Sequence, residues 1–282
     1  MVIDGRQISA KILEILKTEI SQFSFQPVFC DVLVGDDQPS AQYVQMKARA
    51  AERIGMKFRP ANFSSDIPKQ QLIDEIKNIS REPNLCGLIV QLPLPKSLPR
   101  QEILDAVAEP IDVDCMSSAS LADFYRGDIR FVPPTAAAIM KILESLDLDL
   151  SAKQFLVVGQ GELVGKPVTF LLRRKNFQVN IADISTKNTE QLLKGADVII
   201  SAAGKGGLIT GNKIKPGAVV IDAGTSEQDG GIVGDADFTS VASVAGYVSP
   251  VPGGVGPVTV AMLLNNVVKA AKNKFIDKNG KI

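Results

Sequence analysis

Residues 157–167 read VVGQGELVGKP. An apolar run ends in Gly159, and Gly161 and Gly165 follow where a helical pattern begins. This is how a strand turns into a helix around a phosphate: glycines let the backbone approach closely, and the helix start supplies N–H groups and a favourable dipole. The third glycine falls one place later than in the usual G-x-G-x-x-G spacing. Asp183 follows about one βα unit later, where an acidic residue can reach a ribose hydroxyl. A plain βα turn without ligand is the bland alternative.

Outward from that turn, apolar runs alternate with helical periodicity, which predicts βα units and mostly parallel sheets. Before it, the pattern predicts helices over 6–22, 40–54 and 69–79 and strands over 27–34, 57–63 and 86–91. Residues 93–123, with Pro93, Pro95, Pro99, Pro110 and a small-residue run at 117–120, read as a connection. The second half restarts with a helix over 136–146 and strands ending at 159, over 178–181, 197–201, 218–222 and 241–245. A last helix, 258 to about 272, is apolar enough to dock on the first domain. The expectation is two α/β domains: 1–120 plus 259–282, and a Rossmann-like 121–258.

Composition limits the chemistry. The 282 residues hold 31 Lys plus Arg against 31 Asp plus Glu, a balance that gives no reason to expect a nucleic acid partner. The count of histidines is zero, which removes imidazole catalysis and histidine metal sites, so acid–base work falls to Lys, Tyr, Asp, Glu or Cys. Cys30, Cys86 and Cys115 are too few and too scattered for a disulfide framework or a zinc motif, and a reducing cytoplasm fits them. The opening MVIDGRQ places Asp4 and Arg6 where a signal peptide needs an apolar run. Residues 238–268 lack charge, but Pro250, Pro252 and Pro257 among Gly253, Gly254 and Gly256 read as a rigid loop rather than a membrane span.

Several residues outside the glycine turn could carry chemistry. Tyr43 and Lys47 lie four apart and share a helix face, as any surface packing pair would. Gln91 ends the run GLIVQL at the carboxyl end of a strand, where open α/β sheets present ligands. Asp112 and Asp114, in IDVDC, read also as turn aspartates.

Taken in order, YVQMK, GLIVQLPLP, DVD, VVGQGELVGKP, IKPGAVVIDAG and PVPGGVGPVTVAML resemble one family along nearly the whole chain. It is the bifunctional methylenetetrahydrofolate dehydrogenase/cyclohydrolase family. The resemblance implies two α/β domains flanking a cleft that holds folate, the second Rossmann-like and binding the nicotinamide cofactor. It implies oxidation of 5,10-methylenetetrahydrofolate to the methenyl form with NADP (NAD being possible) and hydrolysis to 10-formyltetrahydrofolate. It further implies that the protein is a homodimer and needs neither metal nor membrane. Lys47 becomes the central catalytic residue, Gln91 its partner and Asp114 the carboxylate that holds the pterin. Tyr43 stacks on the aminobenzoyl ring, and Val90, Leu92, Pro252, Gly253, Gly254 and Val255 line the substrate. Gly159, Gln160, Gly161, Gly165, Asp183 and Thr225 fall to the cofactor.

The chain departs from the family pattern mainly on the cofactor side. Ile111 and Cys115 replace the Lys and Gly of KDVDG, and residues 133–136 read PPTA for PCTP. Gly159–Gln160–Gly161 stands for GRS, and Gly224–Thr225–Ser226 for GIN. Asp183 and Ile184 occupy the His-Ser positions of relatives that prefer NADP, with Lys187, Arg173 and Arg174 as nearby charges. The expected consequence is a weak or reversed preference for NADP. Two other readings remain: a shikimate- or amino-acid-dehydrogenase-like enzyme, and a weakened paralogue that binds folate or nucleotide.

Overall fold

A computed structural model describes residues 1–228 and 231–279, with side chains through Lys274. The chain divides into two compact units, Lys11–Pro134 with the segment from Val260, and Met1–Ala10 with Thr135–Thr259.

The first unit is built on a parallel three-stranded sheet. Its elements are the part of α1 (Gly5–Ile20) from Lys11 on, β1 (Val28–Val34), α2 (Gln38–Arg53), β2 (Lys57–Phe63), α3 (Lys69–Ile79), β3 (Leu85–Val90), α4 (Arg100–Leu104) and α5 (Ser118–Arg126), and the strand order is β2-β1-β3. Every residue of β3, and all but the first of β1, is buried, as expected for strands covered on both faces. On one face Cys30, Val32, Val34, Leu88 and Val90 join Leu72, Ile76 and Ile103 in an apolar core. The intervening residue Asp31 points to the opposite face, toward α2.

Helix α2 starts where it does because the Asp37 side chain accepts the backbone N–H of Ser40 at 2.9 Å and Pro39 sits in the first turn, where its missing N–H costs nothing. Within this unit, Asn266 of the last helix donates to the carbonyls of Val113 (2.9 Å) and Val132 (2.8 Å), and Lys274 donates to Leu85 (3.3 Å). Gly87 of β3 makes room for that approach: a Cβ there would lie 2.8 Å from Val267.

The second unit contains α6 (Pro134–Ser145), β4 (Gln154–Val158), α7 (Gly165–Arg174), β5 (Gln178–Ala182), α8 (Thr189–Gly195), β6 (Val198–Ser201), β7 (Val219–Asp222), β8 (Ser226–Gln228), β9 (Gly231–Val233), α9 (Phe238–Ala242), β10 (Tyr247–Val248) and the start of α10 (Val255–Asn279). Its five-stranded sheet is parallel throughout, in the order β10-β7-β6-β4-β5. The chain leaves β4 in one direction for β5 and returns on the other side for β6. The carboxyl ends of β4 and β6 therefore flank the topological switch point, where open α/β sheets take their ligands.

Three expectations change. The strand expected over 241–245 is instead α9 and a turn, because Asp237 caps a helix by accepting from Ser240 N at 3.3 Å. The connection over 93–123 contains α4, a 3₁₀ turn at Glu109–Ile111 and the start of α5. The proline–glycine loop is short, since α10 begins at Val255 with Pro257 in its first turn, a position that tolerates proline. The carbonyls of Phe131 and Val132 accept from Cys115 and Asn266, and Met1–Ile3 run beside β10 with Ile3 N donating to Val248 O at 2.8 Å. No described helix is long and apolar enough to cross a membrane.

Candidate active site

The carboxyl end of the first unit's sheet gathers Lys47, Gln91 and Tyr43. Lys47 extends from α2 and is only 2% exposed. Its Nζ donates to Gln91 Oε1 at 2.7 Å and lies 5.2 Å from the centre of the Tyr43 ring. Gln91 is oriented from behind, its Nε2 donating to the Leu92 carbonyl at 2.5 Å. Val90 is buried beneath it and Leu92 is half-buried.

A third neighbour of Lys47 was not anticipated. Asp31 Oδ2 lies 2.6 Å from Nζ, and the Asp31 side chain has no exposed surface. The approach is off the line of a hydrogen bond, and among the described residues neither Asp31 oxygen has an aligned donor. Burial pushes the Asp31 carboxyl up from its usual range, and Lys47 opposes that push.

The two aspartates of IDVDC separate into different tasks. Asp112 is buried and accepts from the backbone of Met116 (3.3 Å) and Ser117 (2.9 Å), so it shapes the turn. Asp114 has no such bonds among the described residues. It is half-buried and keeps part of its surface accessible. Burial, with help from Asp112 and Asp31 and against Lys47, pushes its carboxyl up to about 6. Tyr43 shares these surroundings: burial first, then Asp114 and Asp31, push its phenol up. Cys115 has φ 59°, the left-handed region that glycine occupies without penalty.

In the second unit the turn after β4 is as tight as its glycines require. Gly159 has φ +91°, and a Cβ on it would lie 2.4 Å from Ala202 O; one on Gly165 would lie 2.0 Å from Gly159 O. Gly161 differs, with nothing within 4 Å of a Cβ placed there. Gln160 folds back, donating to Gly159 O (3.0 Å) and Thr169 Oγ1 (3.3 Å). Asp183 follows β5 and is exposed; its Oδ1 accepts from Ser185 N (2.9 Å), Ser185 Oγ (2.7 Å) and Thr186 Oγ1 (3.2 Å), which holds its carboxyl below the usual range. Thr225 is exposed after β7. Pro252 to Val255 form the turn that enters α10, with Gly254 N donating to Pro250 O at 2.8 Å.

Sequence reasoning also missed the clamp behind these loops. Asp235, fully buried, accepts from Ser201 Oγ (2.6 Å), Ala203 N (2.7 Å) and Lys205 N (2.6 Å), which fixes the chain leaving β6. Asp222 accepts from Gly224 N (2.9 Å) and Ala236 N (2.8 Å), and burial, with Asp235 nearby, pushes it up to about 6. The acidic residues of VVIDAG and GDAD, Asp222 and Asp235, were the signal available in the sequence.

A sealed lysine between an amide and a carboxylate in one parallel-sheet unit, and a glycine turn at the switch point of another, define a two-domain α/β enzyme of the nucleotide-binding class. Residues 3–114 match the family model described as tetrahydrofolate dehydrogenase/cyclohydrolase, catalytic domain, and residues 133–275 the model for its NAD(P)-binding domain. The chain therefore belongs to the tetrahydrofolate dehydrogenase/cyclohydrolase family. It is 39% identical over 272 residues to the bifunctional protein FolD of Caldanaerobacter subterraneus subsp. tengcongensis, covering 96% of this chain and 97% of that one. Its structure is similar to the bifunctional FolD methylenetetrahydrofolate dehydrogenase/cyclohydrolase of Campylobacter jejuni, with TM-score 0.93 and 35% identity over 97% of this chain and 99% of that one. The FolD of Trypanosoma brucei, solved with NADP and an inhibitor, matches with TM-score 0.91 and 31% identity over 97% and 98% of the two chains.

Proposed function

We propose that this protein oxidises 5,10-methylenetetrahydrofolate to 5,10-methenyltetrahydrofolate with NADP, or with NAD, and hydrolyses the product to 10-formyltetrahydrofolate. The observation that carries this reading is Lys47: a proton-bearing side chain sealed from water, held by a neutral amide on one side and facing an aromatic ring on another. Folate chemistry of this kind needs a proton delivered to, and taken from, nitrogen and water, and lysine is suited to both where histidine is absent. Gln91 engages one of the ammonium hydrogens, and a proton remains for the substrate.

The other residues bind and orient. Asp114, which has no hydrogen-bond partner among the described residues, accepts donors of the pterin, and Tyr43 lays its ring on the aminobenzoyl group with Val90 and Leu92 beside it. Pro252, Gly253, Gly254 and Val255 are assigned to the substrate on the strength of the PVPGGVGP string. The folate thus belongs to the domain over 1–120 and 259–282, and the dinucleotide to the domain over 121–258.

The residues of the second unit fit a dinucleotide: Gly159 and Gly165 leave the turn bare of side chains, and a ten-residue helix starts there. When bound, the cofactor supplies the hydride acceptor. The chain's own part is to present Gly159 to Gly165 to the pyrophosphate, with Gln160, Thr225 and Asp183 around the adenosine end. The three cysteines are all buried and free, which supports a reducing cytoplasm. The edge strand β5 exposes Ile181, which supports a homodimer paired through this edge, to be read by sedimentation.

The test is purified protein with 5,10-methylenetetrahydrofolate and NADP or NAD, followed through methenyl absorbance to the formyl product. Reduced cofactor and formyl product formed in step are expected. Binding of folate without turnover by either cofactor, or turnover of methenyl no faster than Lys47→Met, would overturn the reading.

A further inference from the structure

Asp31 is a buried ionisable group that the mechanism above leaves unused. It stands in the run FCDVLV, where its neighbours Cys30 and Val32 face the apolar core, and its carboxylate meets α2 on the other face. Among the described residues only Lys47 forms an ion pair with it: the Nζ is at 2.6 Å, and neither oxygen has an aligned donor. The other groups around the pair are Tyr43 from α2, Gln91 after β3, and Asp112 and Asp114 from the turn beyond. Gln91 is neutral, Asp112 is engaged with two backbone N–H groups, and Asp114 acts on Lys47 without an ion-pair contact. Arg59 and Glu82, flanking Cys30, pair with each other at 2.7 Å.

We infer that Asp31 is a positioning residue that sets the protonation of Lys47, keeping the sealed ammonium charged and aimed until the substrate takes its proton. An ammonium enclosed by protein sheds its proton readily unless an opposite charge lies in contact with it. Asp31 is that charge. Its own raised carboxyl range shows that the site would otherwise disfavour either ion, so the two charges depend on one another. Gln91 fixes direction and Asp31 fixes charge, and each cycle therefore starts from Lys47 as a proton donor.

The kinetic part of the test rests on the folate reading; the spectroscopic part does not. Protein with isotopically labelled lysine side chains is titrated by NMR, and the Lys47 signal is assigned by its absence from the Lys47→Met/Asp31→Val protein. In Asp31→Asn, which keeps the shape and removes the charge, the Lys47 signal should titrate at least about one pH unit lower than in wild type. The limb of the kcat–pH profile governed by Lys47 should move the same way, with KM for folate changed less than kcat. Asp31→Val gives a second neutral replacement with an apolar side chain. An unchanged Lys47 midpoint in whichever variant folds overturns the inference, whatever its rate. Wild-type protein without folate turnover refutes the folate reading alone, because the titration still decides the role of Asp31.

Discussion

Lys47→Met tests chemistry and stability together, and the structure separates the two. Methionine fills the lysine's track but leaves Asp31 with no exposed surface and, among the described residues, no counter-charge in contact. Breaking a buried ion pair from one side costs about 3–5 kcal/mol, because the remaining charge stays uncompensated. At roughly 2–4 °C per kcal/mol for a chain of this size, the melting temperature at neutral pH should fall by about 6–20 °C. The pH dependence has a definite sign. The folded-state carboxyl of Asp31 is raised, so its contribution is intact below the unfolded aspartate value and is lost as pH rises. With Lys47 gone nothing opposes that loss. The deficit of Lys47→Met should therefore be small near pH 4 and grow toward pH 8. The assay is thermal unfolding of wild type, Lys47→Met and Lys47→Met/Asp31→Val across that range. The double variant should recover most of the loss, since an apolar group in place of a lone carboxylate relieves the cost. A single variant as stable as wild type at neutral pH, or a deficit independent of pH, would refute this account of the pair. The recovered double variant also removes misfolding from the catalytic comparison. Its cyclohydrolase rate should be lower by about 100- to 10,000-fold, and retention of more than about a tenth would remove Lys47 from the chemistry.

Asp114→Ala should weaken folate affinity by about 1–3 kcal/mol while melting close to wild type, because Asp114 makes no internal hydrogen bond among the described residues; unchanged affinity by calorimetry contradicts its placement. At position 115 the backbone sits at φ 59°, so Cys115→Gly should be more stable than Cys115→Ala by about 1 kcal/mol, the reverse of the usual order, in matched denaturant titrations. Asp235→Ala frees Ser201, Ala203 and Lys205 at once, and should raise KM for the dinucleotide more than KM for folate; equal changes in both would mean the loops do not serve the cofactor. The ratio of kcat/KM for NADP over NAD should stay below about 100, since one charge-assisted bond gives roughly 10- to 150-fold and no cation is fixed beside Asp183 among the described residues. Asp183→Ser should raise that ratio, and a fall would reverse the assignment.

How far the sequence could be read depended on the range over which each residue's partner lies. Gly159 and Gly165 announce a tight βα turn because their neighbours within a few residues already demand it, and the turn is there. Tyr43 and Lys47 were legible as a pair from helical spacing, and Gln91 from its place at a strand end. The helix at Phe238–Ala242 was misread as a strand because its apolar positions are few, whereas the deciding signal was a single cap at Asp237. Asp31 was harder still. In FCDVLV it looks like one polar interruption of a buried strand, and only the register of α2 over β1 brings Lys47 to its carboxylate. Asp235 holds partners some thirty residues back along the chain. Local pattern thus reveals residues that shape their own backbone, while residues that supply charge or hold loops for others become visible only when the sheet is assembled. Asp31 acts through Lys47 and Asp235 through the loop after β6, so both belong to the second kind. It is therefore in this second kind of residue, rather than in the motif residues, that this chain's own tuning of a shared family site should be sought.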